Sequence, residues 1–402
     1  MNTRASVDLL TPSNAQPTQL ALKLFAIALC GFCPFLAVYV TQPLLPLLAK
    51  AFSASVGAVS ITVTATTLAV ALTAPIIGLI ADALGRKRVI VVAIFGLAIP
   101  MALAATSSTL NQLIVWRFLQ GLFIPGIFSV ALAYLGEEWK GPNSGLATSA
   151  YIAGNVLGSV SGRVVAGFVA TWTDWHYAFV AQSVLLVLGG FAVWALLPAS
   201  QNFVAQRHFG QGIKAMLGHF KNLPLIAVWA IGFNTLFVFV AVFTFITFHL
   251  AGAPFNLTTV QLGSMFLLNL FGAVATPFAG RWIDKIGSRT VLIIALTTSA
   301  VGLLLTLTPY LLLTFLGLAL ISMGVFVGNS AASTNLGKVA AKAKSSAAGL
   351  YVCAYYAGGS VGAYVPGFAY AMGGWPACVI LILFVMAISA VIALRFWAHQ
   401  EA

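Results

Sequence analysis

From Asn222 to Gly280 the chain runs 59 residues without an Asp, Glu, Lys or Arg. A helix crosses a hydrocarbon layer about 30 Å thick with about 20 apolar residues. That one stretch is therefore long enough for two crossings with a turn between them. The same measure assigns one crossing each to residues 24–49, 51–81, 141–173 and 175–206, and two each to 89–136, 222–280, 290–337 and 345–394. The expected fold class is an all-α integral membrane protein with twelve transmembrane helices.

Composition agrees. Of 402 residues, 61% are hydrophobic and 6% charged, whereas soluble domains run near about 45–50% apolar and about 25% charged. The net charge of +12 is not read as a nucleic-acid surface, because basic residues between apolar spans report membrane orientation. Twelve crossings put both ends of the chain on one side, and alternating the loops then places 16 of the 19 basic residues on that side. Only Lys50 falls opposite, while Arg117 and Arg163 lie within spans. The basic side is expected to be the cytoplasm, with the opening "MNTRASVDLLTPSNAQPTQLALK" as a cytoplasmic tail rather than a signal peptide. Cys30, Cys33, Cys353 and Cys378 all sit in apolar runs, so they read as small core residues rather than a redox centre.

The chain also repeats itself. "GLIADALGRKR" (78–88) and "GRWIDKIGSRT" (280–290) share Gly78/Gly280, Asp82/Asp284 and Gly85/Gly287 at an offset of 202, each followed by basic residues. "GLATSAYIAGNVLG" (145–158) and "GLYVCAYYAGGSVG" (349–362) match at an offset of 204. Two matches at nearly one offset imply homologous halves, as in many transporters. The expected organisation is a tail 1–19, a six-helix bundle 20–197, a cytoplasmic linker 198–221, a second bundle 222–397 and a tail 398–402.

Twelve spans in two halves, with G-x-x-x-D-x-x-G-R-K-R after span 2, resemble the major facilitator superfamily over essentially the whole chain. "LAVYVTQPLLP" (36–46) and "WRFLQG" (116–121) are similar to signatures of its twelve-span drug:proton antiporters. "GNVLGSVSGR" (154–163) aligns with their G-x-x-x-G-P-x-x-G-G signature, with Ser159 for the proline and Arg163 for the last glycine. "YLGEE", "SGR" and "LYVCAYYAGGS" look like YnfM-type transporters within that group.

The resemblance implies a conformational latch formed by Gly78, Asp82, Gly85, Arg86, Glu138, Asp284 and Arg289. Asp82 would face the start of span 11 around Ser345 and Ser346, where the helix dipole favours a carboxylate. Arg86 would pair with Asp82 and Glu138 when the halves meet on the inside; the alternative is that these cations serve topology alone. Gly154, Gly158 and Gly162 on span 5, and Gly358 and Gly362 on span 11, form ridges of small residues for close packing, either within one half or as a moving contact.

Arg117 and Arg163 are expected about 10 Å below the outer surface, and no span interior supplies a carboxylate for them. Three readings remain open: bonds to backbone carbonyls or Asp174, a role for Arg117 in proton transfer as the family implies, or reception of an anionic substrate. Candidate substrate-binding residues are Tyr39, Gln42, Arg117, Gln120, Tyr151, Asn155, Arg163, Asn234, Asn269 and Tyr355, with Asn329 and Tyr356 as further polar residues at span depth. Most of the 29 phenylalanines read as lipid-facing or core. Candidates for proton coupling are Arg117 and Glu137.

The function expected is secondary transport of a small organic solute by alternating access, as proton-coupled efflux in a bacterial cytoplasmic membrane. The alternative is an organic-anion carrier or importer using Arg117 and Arg163. A non-transporting sensor on the same fold would need a soluble output domain, and the 198–221 loop is too short for one. No H-E-x-x-H, G-x-S-x-G or P-loop appears, so an enzyme or an ATP-driven pump is not expected. The partners expected are the bilayer, a small-molecule substrate and protons; the chain is expected to be a monomer with no cofactor and no metal.

Overall fold

Pro43 and Pro46 decide the shape of the first crossing. In the computed structural model, which describes residues 17–141, 143–200, 220, 222–339 and 344–397, α1 (Pro17–Val38) stops before them. Proline has no N–H to continue the i→i−4 ladder, so the Gln42 N–H bonds the Tyr39 carbonyl at 3.0 Å instead. A 3-10 turn (Gln42–Leu44) then leads into α2 (Leu45–Ala51). Two carbonyls at the end of α1 are left short of helical partners.

The first half continues with α3 (Val56–Leu84), α4 (Arg86–Ala104), α5 (Leu110–Glu138), α6 (Ser144–Trp172) and α7 (Trp175–Leu196). Side chains that cap the free amides set several helix starts: Ser55 accepts from Ala58 N (3.2 Å) and Thr109 from Gln112 N (3.3 Å). Asp174 caps α7 by accepting from His176 N at 3.0 Å. These hydrogen bonds from His176 outweigh partial burial and hold the Asp174 carboxyl below its usual range. The second half contains α8 (Leu223–Ala251), α9 (Thr259–Ser264), a 3-10 turn (Met265–Leu268), α10 (Asn269–Leu305), α11 (Leu311–Val339), α12 (Lys344–Tyr364) and α13 (Pro366–Phe396).

Among the described residues, ten helical stretches are long and apolar enough to cross a membrane by length and composition alone. The count of twelve is recovered from the backbone. Gly287 (φ 80°, ψ 153°) divides the stretch Thr259–Leu305 into two crossings. α12, diluted by Lys, Ser, Gly and Tyr, runs through Val365 into α13, which breaks at Gly373 and Gly374. Crossing 11 is thus 344–372 and crossing 12 is 375–396. The helices are apolar all round, and side chains such as Leu72, Val92, Leu188, Val274 and Phe384 turn outward, as lipid-facing residues should.

The internal repeat has a structural counterpart. Gly85 (φ 92°, ψ 140°) makes the same turn as Gly287, 202 residues later. A side chain is strained in this conformation by about 1–3 kcal/mol. Gly85→Ala is expected to lower stability by about 1–3 kcal/mol, read as an earlier thermal loss of the monodisperse protein in detergent. A melting midpoint equal to wild type would show that the turn relaxes freely.

The glycine ridges pack within one half, which settles that alternative. Gly154, Gly158 and Gly162 on α6 lie against the carbonyls of Ala28, Phe32 and Leu36 on α1. Gly358 and Gly362 on α12 lie against those of Phe233 and Phe237 on α8.

Contacts between the halves gather toward the end that carries Asp174. Gly57 faces Gly367, and Gly167 faces Gly263 and Thr259. Thr64 Oγ1 and Ser360 Oγ each reach the other residue's carbonyl at 3.4 Å, and Gln42 Nε2 donates to Thr244 Oγ1 at 3.1 Å. At the opposite end, Gly78, Gly136, Gly145, Gly280 and Gly337 face open space.

Candidate transport site

Between the halves lies a cavity of about 370 Å³. Its wall is largely aromatic: Phe35 and Tyr39 from α1, Phe128 from α5, Phe239 from α8, Phe326 from α11, and Tyr351, Tyr355 and Tyr356 from α12. The rings touch in two groups: Phe35–Phe128 with centroids 6.1 Å apart, Phe128–Tyr356 at 5.7 Å and Tyr355–Tyr356 at 5.7 Å in one, and Tyr39–Phe239 and Phe239–Phe326 each at 6.2 Å in the other. Ser159, Asn155 and Asn329 supply polar groups, and no Asp, Glu, Lys, Arg or His lines the wall among the described residues. Tyr351 donates to Asn329 Oδ1 at 2.9 Å, whereas Asn155 Oδ1 has no hydrogen-bond partner among the described residues.

Arg163 lies behind this wall, fully buried. Its Nε donates to Gln42 Oε1 at 2.9 Å, and its Nη1 donates to the Ser159 carbonyl (2.7 Å) and hydroxyl (2.6 Å). The guanidinium carbon sits 4.7 Å from the Tyr39 ring centroid and 4.5 Å from that of Phe266, with Phe239 at 6.0 Å. Nη2 has no partner. A charge at span depth costs about 2.5–3.5 kcal/mol on insertion scales. Desolvated cation–π contacts of about 2 kcal/mol and charge-assisted hydrogen bonds of about 1.5–3 kcal/mol are of the size needed to offset it. Tyr39 and Ser159 belong to the first half, Phe239 and Phe266 to the second, so the cation bridges both.

Arg117 is placed differently. It too is fully buried, but its donors are directed at the broken end of α1. Nη1 bonds the Ala37 carbonyl at 2.9 Å, Nη2 the Val38 carbonyl at 2.5 Å and Nε the Thr62 carbonyl at 3.4 Å, while Nη1 also meets Gln120 Oε1. Thr66 Oγ1 in turn donates to the Arg117 carbonyl at 3.0 Å. A cation at a helix C-terminus complements both the free carbonyls and the dipole. Of the readings left open for the two arginines, backbone carbonyls rather than Asp174 are their observed partners; Asp174 meets His176 instead.

Only Tyr39, Asn155 and Tyr355 of the ten substrate-binding candidates line the cavity. Gln42 bridges Arg163 to Thr244, and Gln120 Nε2 donates to the Pro100 carbonyl at 3.1 Å. Tyr151 donates to the Phe128 carbonyl at 2.9 Å, Asn234 to Ser389 Oγ at 2.9 Å, and Asn269 Oδ1 accepts from Ser322 at 2.8 Å. These polar groups hydrogen-bond helix to helix, which relieves the cost of leaving them bare in lipid. The phenylalanines that form the wall were expected as lipid-facing or core. Their number hides them, and no spacing in the sequence singles out the inward ones.

At the other end, Arg86 Nη2 meets Asp82 at 2.6 Å and Glu137 Oε1 at 2.7 Å, with Nε on Glu137 Oε2 at 3.1 Å. The carboxylate on α5 is therefore Glu137, one residue before the expected Glu138, because the α5 helical phase aims it at the start of α4. All three groups lie in the first half and pair with no residue of the second among the described residues, so the expectation that they pair only when the halves meet there needs correction. Ser345 and Ser346 side chains lie outside the described residues. Ser288, in the place of Arg86, is buried without a partner among the described residues, and Asp284 is exposed with no ion pair to Arg289.

Two bundles of six crossings around a central cavity define a membrane carrier. The Major Facilitator Superfamily model matches residues 27–269 and 251–401, and the chain belongs to that superfamily. It is 30% identical over 366 residues to the uncharacterized MFS-type transporter YybF of Bacillus subtilis (strain 168), covering 91% of each chain. It is 29% identical to the inner membrane transport protein YnfM of Escherichia coli (strain K12), over 94% of this chain and 91% of that one. Among solved structures, a variant of the nucleoside transporter NupG shares the fold with a TM-score of 0.77 at 15% identity, covering 94% of this chain and all 100% of that one. The chain is a membrane transporter, not an enzyme.

Proposed function

We propose that the chain moves a small organic solute by alternating access, as proton-coupled efflux, with its Arg86 end and both termini in the cytoplasm. The observation that carries this reading is the cavity between halves that touch at the Asp174 end and part at the other. With the basic loops inside, this is an inward-facing shape. An aromatic wall with amides and hydroxyls but no charge favours an uncharged, ring-bearing solute, stacked between rings and oriented by Asn155 and Asn329. Latch and coupling roles fall to the Asp82–Arg86–Glu137 cluster, where protonating Glu137 leaves Arg86 held by Asp82 alone.

A second reading rests on Arg163. Its unpartnered Nη2 behind Tyr39 and Ser159 offers a donor to a carboxylate that reaches past the rings. Arg117, already occupied by three carbonyls, is not free for that role, so the anion alternative narrows to one arginine.

Proteoliposomes under an imposed pH gradient separate these readings, with lumenal pH followed as neutral aromatic solutes, amphiphilic cations and organic acids are added. The expected result is proton movement with neutral solutes, at least tenfold slower in Tyr355→Ala. Arg163→Ala should leave that response in place. If only acids respond, and Arg163→Ala abolishes the response while remaining monodisperse, the anion reading replaces the neutral one. Glu137→Gln is expected to remove proton coupling but preserve solute exchange without a gradient; unchanged coupling would discard the assignment of Glu137.

A further inference from the structure

Arg86 is neutralised by two carboxylates, but its neighbours are not. Lys87 and Arg88, half-buried and exposed respectively at the start of α4, make no ion pair among the described residues. Both line a groove of about 480 Å³ between the start of α4 and the end of α7. The same groove is lined by Trp194, 61% exposed, and by Ser200, whose hydroxyl has no partner among the described residues. Its lower wall is Val91 and Val92, and Val92 turns outward among lipid-facing residues. Cations and an unused hydroxyl thus sit at one end of an apolar slot, beside an indole of the kind that marks a membrane interface.

We infer that this groove seats an anionic phospholipid. The headgroup phosphate rests against Lys87, Arg88 and the Ser200 hydroxyl, and an acyl chain runs along Val91 and Val92. Basic pockets between transmembrane helices take such headgroups. A soluble anion would gain nothing from the apolar wall, and a zwitterionic lipid would set its own cation against the two on the protein. The site lies away from the central cavity, on the outer face of the first half.

Native mass spectrometry of the purified full chain in detergent tests this with phosphatidylglycerol, phosphatidylcholine, inorganic phosphate and glycerol 3-phosphate. The expected result is retention of one phosphatidylglycerol by wild type, weakened about thirty-fold in Lys87→Gln/Arg88→Gln, since each cation near the surface contributes about fivefold. Lys50→Gln/Arg395→Gln, which removes two cations elsewhere, should bind as wild type does. Should the Lys87 and Arg88 pair fail to yield monodisperse protein, Arg88→Gln alone carries the test with about a fivefold loss. Wild-type affinity in these variants overturns the proposal, and so does equal binding of phosphatidylcholine. Displacement by glycerol 3-phosphate or inorganic phosphate at lipid concentrations would reveal an ion site instead.

Discussion

Arg117→Ala is expected to destabilise the protein by on the order of 4 kcal/mol, because two or three buried carbonyls each lose a partner at about 1–3 kcal/mol. The Ala37 and Val38 carbonyls have few other donors: the Gln42 N–H that would continue the helix to Val38 turns to the Tyr39 carbonyl instead, Ala37 keeps only a long bond from Val40 N at 3.5 Å, and lipid and packed side chains exclude water. Arg117→Lys should recover only part of the loss, since one ammonium cannot reproduce a fork aimed at adjacent carbonyls. The measurement is the temperature at which the monodisperse peak is lost in detergent, taken beside Arg163→Ala. Arg163 has fewer bonds and one idle nitrogen, so its removal should cost less. If Arg117→Ala melts like wild type yet fails to transport, Arg117 acts in the transport cycle and the capping role is wrong.

Gly158→Val is expected to be nearly as damaging, at about 3 kcal/mol or more. A β-carbon there would overlap the Phe32 carbonyl, and the obstacle is backbone, not a flexible side chain. α1 and α6 would have to move apart along their whole seam, since Gly154 and Gly162 likewise lie against the Ala28 and Leu36 carbonyls. Close approach is what joins helices where lipid provides no hydrophobic drive. Gly145→Ala, on the same helix but facing open space, should stay within about 0.5 kcal/mol of wild type. Equal melting of the two variants would show that position on α6 does not matter and that the seam is not the source of stability.

The two departures from the antiporter signature on α6 turn out to be one feature. Ser159 stands where the signature has proline and Arg163 where it has glycine, and the Arg163 guanidinium holds the Ser159 hydroxyl and carbonyl. Ser159→Pro would remove the hydroxyl and bend the helix that carries Arg163, so either change alone leaves the other without its partner. In sequence they read only as two mismatches.

What the sequence determined by itself was the frame. Apolar run length counts the crossings because a bilayer has a fixed thickness. The turn glycines at Gly85 and Gly287 announce themselves because their backbone conformation excludes other residues, and the small-residue ridges because only glycine allows that approach. What only the tertiary structure decided was which side chains turn inward. Phe128 and Phe239 line the cavity while Phe384 faces lipid, and nothing in a uniformly apolar helix marks the difference, because lipid and core reward the same residues. The two arginines were legible as anomalies, but their roles were not. Arg117 serves a helix break 80 residues away and Arg163 joins aromatic rings from both halves, and such partners are fixed by how helices meet in space.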